Sequence, residues 1–116
     1  MTDETLNFIQ QWYSSHCDGE WEHGFGMRIE TLDNPGWRIR INLVGTELAG
    51  RTYDLRYVKR SENDWLRCWI EQDIFNIGCG PNNLIEGLKV FQDWVTKNSK
   101  TGQAAEIDVP PSKPMQ

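Results

Sequence analysis

The run Cys17-Asp18-Gly19-Glu20-Trp21-Glu22-His23 sets three carboxylates, a thiol, an indole and an imidazole around one glycine. Residues of these types can do several things. Asp18, Glu20 and Glu22 can grip a basic partner, because charge complementarity raises association rate and specificity more than raw affinity. Trp21 would then be the anchor, as Trp is enriched among the residues that dominate binding energy. His23, with Glu20, Glu22 and His16, could instead ligate a metal. A metal centre needs convergent ligands, and the chain has two histidines in all, so no metal and no cofactor is expected. The plainer alternative makes Trp21 a core residue that seals a helix against a sheet, with its acidic neighbours merely solvated.

Two further groups could carry function. Trp65, Arg67 and Trp69 alternate with Leu66, Cys68 and Ile70. If the second row faces the core, two tryptophans flank an arginine on an outer face, and such a patch is costly unless a partner covers it. If the helices pack on the tryptophan row, the opposite holds; the sequence leaves both open. Cys79 lies in Gly78-Cys79-Gly80 before a helix start, where the helix dipole and free N–H groups favour a thiolate. A thiol enzyme of the sulfur-transfer kind could put its nucleophile there, although no His or Arg lies near it in sequence. A P-loop and a Ser/His/Asp arrangement have no support.

The elements that must position these groups follow from periodicity. Residues 4–16 read as a helix with Leu6, Ile9 and Tyr13 on the apolar stripe and Phe8 and Trp12 widening it. Thr2 or Asp3 would cap its start, and Asp18-Gly19 would stop it. Phe25, Met27 and Ile29, then Trp37, Ile39, Ile41 and Leu43, alternate with polar residues as two strands joined at Asp33-Asn34-Pro35-Gly36. Arg28, Arg38 and Arg40 mark the face turned away from the core. A second hairpin runs from about Tyr53 to Ile70 through Ser61-Glu62-Asn63-Asp64, and Asp73–Ile77 adds a short edge strand. Residues 84–97 form the last helix, with Asn83 and Glu86 spaced as a capping box. The expected fold is α+β: an antiparallel sheet of about four to five strands flanked by an N-terminal and a C-terminal helix on one face. One domain would span 1–97, with 98–116 a flexible, proline-containing tail.

Composition narrows the partners. The formal net charge is −5, and no Lys or Arg precedes Arg28, so Asp3, Glu4, Asp18, Glu20 and Glu22 account for all of it. A pI near 4.9 argues against nucleic acid, which demands clustered Lys and Arg. Six tryptophans, each able to remove about 150–250 Å² from water, let so short a chain build a core without disulfides. Three cysteines fit neither a disulfide framework nor a zinc motif. No apolar run nears the ~18 residues of a membrane span, and the start does not read as a signal peptide. A soluble, reduced, cytoplasmic protein is expected.

Several blocks, taken together, resemble the Imm53 family of immunity proteins from bacterial polymorphic toxin systems. They are Trp12-Tyr13, Cys17-Asp18-Gly19, Trp21-Glu22-His23, Thr31 to Trp37, Gly45-Thr46-Glu47-Leu48, Arg60 to Trp65 and Gly80 to Leu84, covering roughly Leu6 to Trp94. The resemblance implies a small protein encoded beside a toxin, which binds the toxin domain and blocks it, with no catalytic residue. Charge analogy makes a nuclease the expected toxin, since an acidic inhibitor suits a basic cleft. The expected toxin-binding residues are Asp18, Glu20, Trp21, Glu22, His23, Trp65 and Trp69. A self-associating adaptor, a homodimer through the Trp65/Trp69 face, is the remaining alternative.

Overall fold

The computed structural model describes residues 3–98. The tail assigned to 98–116 lies outside them from residue 99 on, as does a cap supplied by Thr2. The order is α1 (Asp3–His16), α2 (Trp21–Gly24), β1 (Met27–Leu32), β2 (Gly36–Asn42), β3 (Arg56–Ser61), β4 (Asp64–Glu71), β5 (Ile74–Cys79) and α3 (Leu84–Asn98). The five strands make one antiparallel sheet in the order β1-β2-β5-β4-β3. The α+β architecture read from the sequence is the one observed.

One correction concerns β5, expected at an edge and found in the centre between β2 and β4. Its neighbours align Ile39 and Cys68 with Ile77, and Ile41 and Ile70 with Phe75. Every second residue of β5 therefore enters the core, and Phe75, Ile77 and Cys79 are wholly buried. The link from β4 is the tight pair Gln72-Asp73, both with positive φ (55° and 59°). That is the backbone of a two-residue hairpin turn, usually signalled by Asn-Gly or Asp-Gly.

Both long helices cover a single face of the sheet. Phe91 of α3 packs edge-on against Trp12 of α1 (5.1 Å between ring centroids) and against Phe75 of β5 (5.2 Å). Thr5 Oγ1 donates to Gln92 Oε1 at 2.9 Å, tying the helices together. The buried side of α1 is Thr5, Ile9 and Trp12; Leu6 and Tyr13, placed on the stripe by the sequence, are 48% and 37% exposed. Phe25 is likewise not part of β1. It follows α2 and stays 49% exposed, because its N–H closes the short helix on the Trp21 carbonyl.

Asn83 joins α3 to the sheet in a way a capping box does not describe. Its Nδ2 donates to Glu86 Oε1 (2.9 Å) and Asp64 Oδ1 (3.0 Å), while its Oδ1 accepts from the Trp65 backbone N–H (3.3 Å). Arg60 completes the cluster by pairing with both Asp64 and Glu86. The β3–β4 hairpin is thereby fixed to the start of α3, which sets where Trp65 emerges.

Candidate functional site

The expected site residues fall on opposite sides of the sheet. Trp21 lies on the helix side, 4% exposed, edge-on to Trp12 (5.7 Å) and beside Tyr13 and His16. It is packed into the core, as the plainer of the two readings of this residue has it. Two of the three carboxylates around it have local duties. Asp18 Oδ1 accepts from the N–H groups of Glu20 and Trp21 (2.9 and 3.0 Å). Glu22 accepts from the N–H groups of Asp18 and Gly19 (2.9 and 2.8 Å).

These bonds stabilise the charged forms. The Trp21 and Glu20 amides hold Asp18 below the usual carboxylate range, and the amides of Glu22 itself, Asp18 and Gly19 do so for Glu22. Gly19, at φ 96°, supplies the left-handed turn that aims successive amides at the carboxylates. The segment is thus a self-capped corner, and Glu20 is the one of its three carboxylates without a side-chain bond among the described residues. His23 is exposed. His16 turns instead to the Trp12 carbonyl oxygen (Nδ1, 2.7 Å) and Glu47 Oε1 (Nε2, 2.8 Å). No cluster of three or more His, Cys, Asp or Glu able to hold a metal occurs among the described residues.

Cys79 does not offer a nucleophile. It ends β5 with its side chain wholly in the core, and burial pushes its thiol up to about 11. Cys68 beside it is likewise pushed up to about 12 by burial. The helix-dipole argument for a thiolate fails because the side chain points under α3, away from the free amides and solvent. The residue on which the thiol-enzyme alternative rests is therefore a buried one.

On the other side, the question left open for β4 is settled by burial. Leu66 and Cys68 are wholly buried under the helices, so Trp65, Arg67 and Trp69 face outward. No described helix covers that face. The strand register arranges it in three rows. Arg28, Arg40, Asn76 and Trp69 lie side by side; then Glu30, Arg38, Gly78, Arg67 and Tyr57; then Leu32 and Gly36 at one end, with Trp65 and Lys59 at the other.

Local chemistry positions the aromatic groups. The Trp65 ring lies against Gly36 and Gly78: a Cβ on either glycine would meet it at 3.4 Å. The Arg67 guanidinium sits over the Trp69 ring at 4.9 Å, a cation–π contact, and the Trp69 indole N–H reaches Glu71 at 3.2 Å. A groove of about 610 Å³ opens beside them, lined by Asn34, Leu55, Tyr57, Lys59, Glu62, Trp65 and Arg67. Leu55 and Tyr57 are each 59% exposed. Tyr57 and Leu55 are the residues that sequence reading missed here. Placing the outward row of β4 would have found Tyr57, which shares that face of β3.

This surface has the composition of a protein-binding site. Tyr, Trp and Arg are the residues enriched at interface centres. The acidic corner can contribute charge, while the sheet face offers both charge and buried area. No helix among the described residues is long and apolar enough to cross a membrane.

Comparison with known proteins adds one finding. The family model described as Immunity protein 53 matches residues 6–96. No curated protein and no solved structure matches the chain.

Proposed function

The chain belongs to the Immunity protein 53 family, and on that premise we propose that it neutralises a cognate bacterial toxin domain by stoichiometric, non-catalytic binding in the cytoplasm. The observation that carries the proposal is the sheet face where Trp65, Trp69 and Tyr57 stand beside Arg67 with no helix over them among the described residues. Aromatic rings left at such a surface cost solvation in the free protein and return it on burial against a partner. Held on strands rather than on a loop, they need little ordering when the partner arrives.

The acidic corner supports a second reading, in which Asp18, Glu20, Glu22 and the exposed His23 meet a basic cleft and the toxin is a nuclease. With Asp3 and Glu4, the corner's three carboxylates equal the whole formal net charge of the chain. Glu20 is the carboxylate to test, being free of the bonds that shape the corner.

Protection of cells separates the two. Co-expression with the toxin domain encoded beside this chain should rescue growth with wild type and with Glu20→Lys, and should fail with Trp65→Ala/Trp69→Ala of unchanged melting behaviour. Rescue by the tryptophan variant and failure of Glu20→Lys would move the interface to the acidic corner.

A further inference from the structure

We infer that the open sheet face is built for an acidic protein surface, so that the toxin is held through a carboxylate-bearing patch. This rests on the immunity reading and adds the chemistry of the partner. The chain is acidic overall, at −5, yet this face is cationic. Arg28, Arg38, Arg40, Lys59 and Arg67 occupy its rows, against Glu30 and Glu71.

The arrangement works against folding. Arg28 stands directly opposite Arg40 across the β1–β2 ladder, and like charges so placed destabilise a sheet. Arg38 is two residues from Arg40 on the same face, and within its own row only Gly78 separates it from Arg67. Glu30 is opposite Arg38 but reaches Arg40 instead, at a loose 3.7 Å. Arg28, Arg38 and Arg67 have no ion pair among the described residues, and the Arg40 Nε–H is without an acceptor there. Folding gains nothing from this clustering; carboxylates arriving from a partner would relieve it.

The same pattern decides against other occupants. A second copy in two-fold pairing would set this arginine face against itself, since such interfaces are self-complementary. Nucleic acid would meet a cationic face on a protein whose overall charge repels phosphate.

The test uses the purified neighbouring toxin domain, made catalytically inactive, with binding measured by calorimetry at two salt concentrations. Arg38→Glu/Arg67→Glu should weaken binding at least 100-fold and abolish most of its salt dependence. Arg28→Glu, which places a carboxylate opposite Arg40, should raise Tm while weakening binding about 10-fold. A gain in stability joined to a loss in binding is not what misfolding produces. If Trp65→Ala/Trp69→Ala destroys binding while both arginine variants bind as wild type, the toxin-binding reading survives and the acidic-patch inference is overturned. Binding of a single-stranded RNA oligonucleotide that is lost in Arg38→Glu/Arg67→Glu, with toxin binding intact, would also overturn it. If wild type forms no complex with the soluble toxin, the reading and the inference fall together.

Discussion

The indole of Trp65 lies against Gly78, where a side chain's Cβ would stand 3.4 Å from its ring. A large ring can rest on the middle of the sheet only because β5 presents no side chain at that point. Gly78 and Gly36 together form the seat, and the ring in turn covers backbone that glycine leaves bare. Gly78→Ala should alter stability by less than about 1 kcal/mol, the new methyl being in ordinary contact. Gly78→Val should cost about 1–3 kcal/mol by overpacking and should weaken toxin binding with Trp65 still present. Melting curves and calorimetry on both variants check this.

Gly87 makes a comparable approach on the helix side. A Cβ there would come within 2.9 Å of Ile77 Cγ2 and 3.6 Å of Cys79 Sγ. Alanine normally favours a helix interior by about 1 kcal/mol over glycine. Here the contact with a branched, wholly buried residue should win, so Gly87→Ala should lower stability by about 1–3 kcal/mol. A rise in the urea midpoint would show that α3 sits less tightly on β5 than described.

Thiol reactivity follows from burial. Cys17 is exposed, while Cys68 and Cys79 are buried with thiols pushed up to about 12 and about 11. At pH 8 a disulfide reagent should modify Cys17 promptly and reach the other two only in denaturant. Cys79→Ala should leave toxin binding unchanged. Fast modification of Cys79 in the native protein would reopen the thiol-enzyme reading.

The acidic corner should respond to pH in a defined direction. Asp18 and Glu22 have folded-state values below their ordinary ones, so their contribution is present above the normal carboxylate range. It is lost as pH falls through the depressed folded values. Thermal melts from pH 6 down to pH 2 should show this loss in wild type. In Asp18→Asn, which keeps an acceptor oxygen for the Glu20 and Trp21 amides without titrating, the acid limb should be shallower.

How far the sequence revealed this molecule depends on which signals were unambiguous. Alternation of Arg28, Arg38 and Arg40 with apolar residues identified their face of the sheet directly. The rows of β4 were not separable, because Trp65/Trp69 and Leu66/Cys68/Ile70 are both apolar. Only the position of β5 between β2 and β4 fixes which row is covered, and that hairpin is made by Gln72-Asp73, a pair lacking the usual glycine. Trp21 and its carboxylates looked like a binding motif because residue types do not disclose hydrogen bonds. Asp18 and Glu22 are committed to backbone amides of their own segment, and Trp21 to the core.

The most direct measurement is calorimetric titration of the inactive neighbouring toxin domain with wild type and with Trp65→Ala/Trp69→Ala. Binding at a ratio of one to one, weakened at least 100-fold in the variant while its Tm stays within a few degrees, is the predicted result; truncation of two central interface aromatics commonly costs about 2–4 kcal/mol each. Wild-type affinity in a folded variant would contradict the assignment of the sheet face as the toxin-binding surface.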